Sequence, residues 1–371
     1  MRIGVPKEIK NNESRVAITP AGVDALRSRG HEVWIEPGAG LGSRISDDAF
    51  VAAGARLAVD ADDVWAKGDL LLKVKEPVEA EYPRMRGDQV LFTFLHLAAS
   101  PACAQALIDA GTTAIAYETV QLEDGSLPLL APMSEVAGRL SITMGAYHLL
   151  GPTGGRGSLL GGVPGTRKAK VVVIGGGVAG EHAARNALGL GADVTVIDLS
   201  LPRLRQLEAI FGNAIHTRHS SRLEIAAQLA EADLVIGSVL VPGAAAPQLV
   251  TDDMVSRMRE GSVLVDIAVD QGGCFEGTRP TTHDAPTFAV HDSLYYCVAN
   301  MPGAVPETAT PALTNATLPY ILSIADNGWE IAAAKDRALA RGVNLHEGRV
   351  TNRGVADALG VDFTAALATA G

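Results

Sequence analysis

From Ala169 to Ser200 the chain reads AKVVVIGGGVAGEHAARNALGLGADVTVIDLS, and that stretch leaves few folds open to it. Val171 to Ile174 are uniformly apolar and β-branched, which suits a strand buried on both faces. Gly175, Gly177 and Gly180 follow directly, then a helix-forming run, then a second apolar strand, DVTVID. A strand, a glycine turn, a helix and a strand within about thirty residues make a βαβ unit, whose strands must run parallel. In that setting Gly175 permits the tight turn, Gly177 lets the backbone approach a pyrophosphate, and Gly180 lets the helix pack closely on the strand. The helix N-terminus adds N–H groups and the positive end of its dipole. Asp198 closes the second strand eighteen residues beyond Gly180, where a carboxylate accepts hydrogen bonds from ribose hydroxyls. It also repels a 2′-phosphate, so NAD is expected rather than NADP, a preference that the nearby Arg203 weakens. The competing reading, a non-binding glycine turn with Asp198 as a simple cap, explains fewer of these features.

The same alternation runs through the rest of the chain. RIGVP, HEVWIEP, DLLLKVKEP, QVLFTFLH and TTAIAYETV read as apolar strands; TPAGVDALRSRG reads as a helix with Thr19 as its cap, Pro20 at its first position and Gly30 as its stop. PMSEVAGRLSITMGAYHLLG offers a long helix that leads through the glycine-rich GPTGGRGSLLGGVPG into the βαβ unit. ADLVIGSVLVPG, GSVLVDIAVDQGG and TFAVHDSLYYCVANMP supply later strands, TPALTNATLPYILSIADNG returns to helix, and the last thirty residues read as helix and turns. A chain of 371 residues exceeds what one core usually supports. The expectation is an α/β protein of two Rossmann-like domains with parallel sheets. A nucleotide-binding domain of residues 131–305 is inserted into a discontinuous substrate domain of residues 1–130 and 306–371.

The formal net charge of −11, with no basic cluster, argues against a nucleic-acid partner and for a small-molecule ligand. Three cysteines without CxxC spacing indicate neither a disulfide framework nor a zinc site, and no other metal site is expected. The N-terminus carries charges where a signal peptide needs an apolar core, and no apolar run reaches the roughly 18 residues of a membrane span, so a soluble, cytoplasmic protein is expected.

In open α/β sheets ligands lie beyond the carboxyl ends of the strands. That rule points to Ser238 through Leu240, Ile267 through Asp270 and Val298 through Met301 as neighbours of a nicotinamide. Redox chemistry on a small acid also needs a cation for the carboxylate and a proton carrier. Arg15 and Lys75 stand near strand ends, although each alone reads more readily as a solvated surface charge. His96 closes QVLFTFLH; alone, it favours a satisfied core histidine over a proton carrier. Asp270 either faces the nicotinamide or serves as a turn residue before Gly272 and Gly273.

Longer motifs surround these residues: GVPKEIKNNESRVAITPAGV, LLKVKEP, LFTFLHLA, AYETVQ, LPLLAPMSEVAGR, GGVPG, VDIAVDQGGCFE, HDSLYYCVANMPGAVP and ALTNATLPY. With them the chain resembles, nearly end to end, the bacterial NAD-dependent alanine dehydrogenases of the alanine dehydrogenase and transhydrogenase alpha-subunit family. The resemblance implies reversible oxidative deamination of L-alanine to pyruvate and ammonia, with hydride passing from Cα to the nicotinamide C4. It implies that Arg15 and Lys75 bind the substrate carboxylate and carbonyl, that His96 is the acid/base, and that Asp270 is a second catalytic residue. Ser134, Val178, Ala179, Asp198, Arg203, Ser220, Val239, Leu240, Ile267, Ala268, Val269, Asp270, Arg279, Val298, Ala299, Asn300 and Met301 would touch NAD, and the assembly would be a homohexamer. Three other readings stay open: a transhydrogenase alpha subunit serving a membrane complex, an enzyme that reduces an imine between an amino acid and a 2-oxo acid, and an NAD-binding regulator without turnover.

Overall fold

Runs of about four apolar residues become strands, and the glycine, proline and charged positions between them become their ends. In the computed structural model, which describes residues 1–239 and 246–366, the chain begins with β1 (Arg2–Val5), α1 (Pro20–Arg27), β2 (Glu32–Ile35), α2 (Asp47–Ala52), β3 (Arg56–Leu57) and α3 (Ala61–Lys67). It continues with β4 (Leu70–Leu72), β5 (Val90–Thr93), α4 (Pro101–Ala110), β6 (Thr113–Ala116) and the long α5 (Ala131–His148). There follow β7 (Lys170–Ile174), α6 (Val178–Gly189), β8 (Asp193–Asp198), α7 (Leu201–Phe211), β9 (His216–His219), α8 (Arg222–Leu229) and β10 (Leu234–Gly237). Next come α9 (Asp252–Ser256), β11 (Val263–Asp266), β12 (Thr287–Val290) and β13 (Ser293–Tyr296). The chain closes with α10 (Pro306–Asn327), α11 (Trp329–Lys335), α12 (Arg337–Gly342), β14 (Val343–His346), β15 (Arg349–Val350) and α13 (Arg353–Leu359).

Two compact units result, Met1–Met133 with Gly303–Gly371, and Ser134–Pro302. The sheet of the first runs β15-β14-β6-β5-β4-β1-β2-β3, and that of the second β12-β13-β11-β10-β7-β8-β9. Numbered within its own unit, the first sheet contains the 3-2-1-4-5-6 order of a doubly wound sheet and the second its 3-2-1-4-5 part, followed by the seventh and then the sixth strand, so each has a switch point where ligands collect: between β1 and β4 in the first unit and between β7 and β10 in the second. In the second unit Val171, Val173, Val194 and Val196 belong to one core cluster, and Val172, Ile174 and Ile197 to another. The strands are therefore covered on both faces, as the unbroken apolar runs require. Among the described residues no helix is long and apolar enough to cross a membrane.

The sheets are mostly, but not wholly, parallel. TFAVHDSLYY is not one strand but an antiparallel hairpin, with Val290 paired to Ser293 and the chain reversing at His291, whose φ is +50°. The last thirty residues are likewise not confined to helix and turns, because β14 pairs antiparallel with both β6 and β15. His346 opposes Arg349 across Glu347 and Gly348, both at positive φ (+49° and +73°). That is the backbone pattern of the tight turns that join antiparallel strands.

Candidate functional site

In the second unit the glycine turn has the geometry its sequence requires. Gly175 sits at φ +96°, and a Cβ there would lie 2.9 Å from the carbonyl oxygen of Ser238, across the switch point. A Cβ on Gly180 would lie 1.8 Å from the Gly175 carbonyl oxygen, so only glycine brings α6 this close to the end of β7. Around Gly177, by contrast, a Cβ would meet no atom within 4 Å. Gly177 and Val178 are exposed, Ala179 is half-buried, and the open N-terminus of α6 is a cradle of backbone N–H groups suited to phosphate. Gly138 lets α5 cross α6 at this end, its Cβ position falling 2.1 Å from the Ala179 carbonyl oxygen. Ser134 lies half-buried on the same helix.

Asp198 and Arg203 brace this turn. The Asp198 Oδ2 accepts the N–H of Gly176 at 2.6 Å and its Oδ1 that of Ser200 at 2.7 Å, while its own carbonyl accepts the N–H of Ser220 at 2.9 Å. Arg203 donates through Nε to the Gly176 carbonyl at 2.6 Å and through Nη2 to Glu181 at 2.7 Å. Burial alone would raise the Glu181 carboxyl, but its bonds to Arg203 and Arg185 outweigh that and hold it below its ordinary value. The Arg203 charge is thus matched by an acid.

The other residues assigned to a nucleotide occupy carboxyl-end loops of this sheet. Val239 follows β10 half-buried, and Leu240 falls outside the described residues. The Ile267 N–H donates to the Gly237 carbonyl at 2.9 Å; Ala268 and Val269 are buried, and Asp270 is exposed. Val298 and Met301 bury their side chains in the core, which leaves their backbone for any ligand, and the Ala299 N–H donates to Thr281 at 3.2 Å. Asn300, in a left-handed conformation at φ +59°, donates its N–H to Asp270 Oδ2 at 3.2 Å. Arg279 is exposed, with its guanidinium 4.4 Å above the Phe288 ring.

In the first unit Arg15, Lys75 and His96 lie beyond the ends of β1, β4 and β5, which are neighbours in the sheet. Neither cation is the solvated charge its local sequence suggests: Arg15 is 2% and Lys75 8% exposed. Arg15 is held by a fully buried partner, donating through Nε to Glu13 Oε1 at 2.7 Å and through Nη2 to Glu13 Oε2 at 2.5 Å. Its Nη1 reaches the Met133 sulfur at 2.9 Å. A bidentate, buried pair of this kind fixes the plane of the guanidinium. His96 is likewise not a satisfied core residue. β5 stops at Thr93, and His96, half-buried, adopts a left-handed backbone at φ +47°. Glu118 pins that turn by accepting the N–H groups of His96 (2.6 Å) and Leu95 (3.2 Å), with its Oε1 4.0 Å from the imidazole Nδ1.

Sequence reasoning missed Glu13, Met133 and Glu118, and with them a buried triad in which Lys73 Nζ donates to Glu8 at 2.9 Å and to Glu81 at 2.8 Å. A lysine inside the apolar run LLLKV was a signal for such partners, but they lie 65 and 8 residues away. Among the described residues no cluster of His, Cys, Asp and Glu could hold a metal ion.

Strand order, glycine turn and open helix end make the second unit a doubly wound α/β fold, joined in one chain to a first unit with buried cations in the loops beyond its strands. Two family profiles match: alanine dehydrogenase/PNT, N-terminal domain, over residues 4–137, and alanine dehydrogenase/PNT, C-terminal domain, over residues 141–353. The chain belongs to the alanine dehydrogenase/PNT family. It is 64% identical to the alanine dehydrogenase of Mycobacterium tuberculosis over 98% of both chains. Of the solved structures, an L-alanine dehydrogenase superposes with a TM-score of 0.93 at 51% identity, covering 97% of this chain and 99% of that one. A transhydrogenase from Sinorhizobium meliloti superposes with a TM-score of 0.80 at 27% identity, covering 95% and 99%.

Proposed function

We propose that this chain is an NAD-dependent L-alanine dehydrogenase, catalysing the reversible conversion of L-alanine, NAD and water to pyruvate, ammonia and NADH. The observation that carries the reading is that Arg15, Lys75 and His96 stand in the loops that follow β1, β4 and β5, three neighbouring strands of one sheet. That set supplies a planar cation for a carboxylate, a second cation for the carbonyl and a half-exposed imidazole for the proton, in a chain 64% identical to an alanine dehydrogenase. The transhydrogenase reading draws less support, since its relative is only 27% identical.

When bound, NAD supplies the hydride acceptor. The open end of α6 would hold its pyrophosphate, Asp198 its ribose, and the backbone of 267–270 and 298–301 its nicotinamide side. Arg15, its plane set by Glu13, would grip the carboxylate, and Lys75 would fix the carbonyl side so that Cα faces the acceptor, the positioning contribution to the rate. Loss of hydride from Cα of the neutral amine leaves an iminium ion. His96 would take a proton from the water that adds to it and return one as the carbinolamine collapses to pyruvate and ammonia, while Asp270 would orient the amine. By the same resemblance the protein would work as a cytoplasmic homohexamer, which light scattering reads directly.

The decisive assay is NADH absorbance and pyruvate formation from L-alanine and NAD at alkaline pH, where the amine is neutral; absence of turnover would overturn the reading. Asp198→Ala is expected to weaken NAD binding by roughly 10- to 100-fold, the loss of a charged hydrogen bond of about 1.5–3 kcal/mol, and to narrow the gap between NAD and NADP. Unchanged discrimination in fluorescence titrations would leave Asp198 a cap only.

A further inference from the structure

Asp266 ends β11 with its carboxylate wholly buried, and the reaction described above gives it no part. Its Oδ1 accepts the N–H of Ala268 at 3.1 Å and its Oδ2 that of Cys274 at 3.0 Å. The hydroxyl of Thr278 and the N–H of Phe275 stand nearby and also favour its charged form. These donors come from both sides of residues 269–273, so one carboxylate fastens both ends of a short loop. The backbone is shaped to it. Gly272 and Gly273 turn left-handed at φ +95° and +76°, and a Cβ on Gly273 would lie 2.5 Å from Asp266 Oδ2. Only glycine lets the chain close over the carboxylate in this way.

Holding a carboxylate away from water is costly, and here burial pushes its pKa up to about 6 against the surrounding donors that lower it. What the loop carries is the reason to look for a return. Its buried residues, Ala268 and Val269, lead directly to the exposed Asp270, whose carboxylate is steadied from the other side by the Asn300 N–H at 3.2 Å.

We infer that Asp266 is the positioning residue for Asp270: its carboxylate clasps residues 267–274 so that the Asp270 carboxylate and the backbone of Ile267 to Val269 are presented at a fixed place beyond β11. The inference rests on the reading of Asp270 as a catalytic group. The clasp itself is a matter of backbone order and can be measured apart from it.

The test uses the whole protein with Asp266→Asn and Asp266→Ala. Asparagine keeps the size and one acceptor, but its amide nitrogen cannot accept the second N–H. In Asp266→Asn, kcat for L-alanine oxidation is expected to fall about 10²-fold with KM for L-alanine changed less than about threefold, because placement of a reacting group is lost and substrate binding is not. Asp266→Ala should fall further. Amide hydrogen exchange across 267–274 should accelerate in both variants while that of β7 and α6 does not change. A folded Asp266→Asn protein with kcat close to the parent's would overturn the inference, as would unchanged exchange in the loop. Failure of both variants to fold would assign the residue to stability alone and overturn it too. If the parent itself does not turn over L-alanine, the proposed function falls, and loop exchange still decides whether the clasp exists.

Discussion

His96→Ala is expected to lower kcat by roughly 10²- to 10⁴-fold, the range that a positioned general acid/base contributes. NADH binding should stay near the parent's, because the groups proposed to hold the nucleotide belong to the other unit. The geometry around His96 allows a clean experiment. The imidazole is half-exposed, so its removal opens no core cavity, and the turn is held through the backbone by Glu118, at 2.6 Å from the His96 N–H. The one complication is φ +47°, where alanine is strained by about 1 kcal/mol or somewhat more. His96→Asn removes it, since asparagine tolerates the left-handed region and hydrogen-bonds but cannot carry a proton near neutrality. Both variants should lose kcat alike. If His96→Asn kept kcat within a factor of a few, the imidazole would be a shape at a turn, and the proton carrier would have to be sought elsewhere.

His96 also shows where a sequence reading stops. The histidine was visible as the end of an apolar run, but β5 finishes three residues before it, and the left-handed turn that half-exposes it depends on a carboxylate 22 residues further on. Arg15 and Lys75 were misjudged as surface charges for a related reason. Burial of a cation is decided by its partners, and Met133, which the Arg15 guanidinium also reaches, lies 118 residues away. The nucleotide turn was legible because every element it needs, strand, glycines, helix and acid, falls within about thirty residues. The alternation of strands and helices likewise marked two α/β domains with largely parallel sheets. The two antiparallel additions escaped because each rests on a two-residue reversal, at His291–Asp292 and Glu347–Gly348, without the Asn-Gly or Asp-Gly pair that marks a hairpin most strongly.

The buried triad under Lys75 yields the largest stability effect. Lys73→Met should destabilise the first unit by about 3–5 kcal/mol at neutral pH, the cost of breaking a buried ion pair from one side. Lys73, Glu8 and Glu81 have side chains no more than 3% exposed, and Glu8 also accepts the N–H groups of Val74 (2.5 Å) and Lys75 (3.3 Å). Burial already holds the Glu8 carboxyl above its usual range in spite of Lys73; burial would lower the Lys73 ammonium, but its two acids outweigh that and raise it. Without the ammonium, Glu8 must rise further. A carboxyl whose folded pKa lies above its unfolded value contributes stability that is present below the unfolded value and is lost as pH rises through the folded one. The deficit of Lys73→Met should therefore be smallest near pH 4–5 and widen toward neutrality, and adding Glu8→Gln and Glu81→Gln should recover much of it. Trp34, Trp65 and Trp329 are the chain's 3 tryptophans and all lie in the first unit, so their fluorescence during urea unfolding reports on that unit directly. A deficit of equal size at pH 5 and pH 8 would mean that the triad's charges do not set the stability. Because Glu8 grips the backbone on which Lys75 stands, the same variant should also raise KM for L-alanine under conditions where it is fully folded.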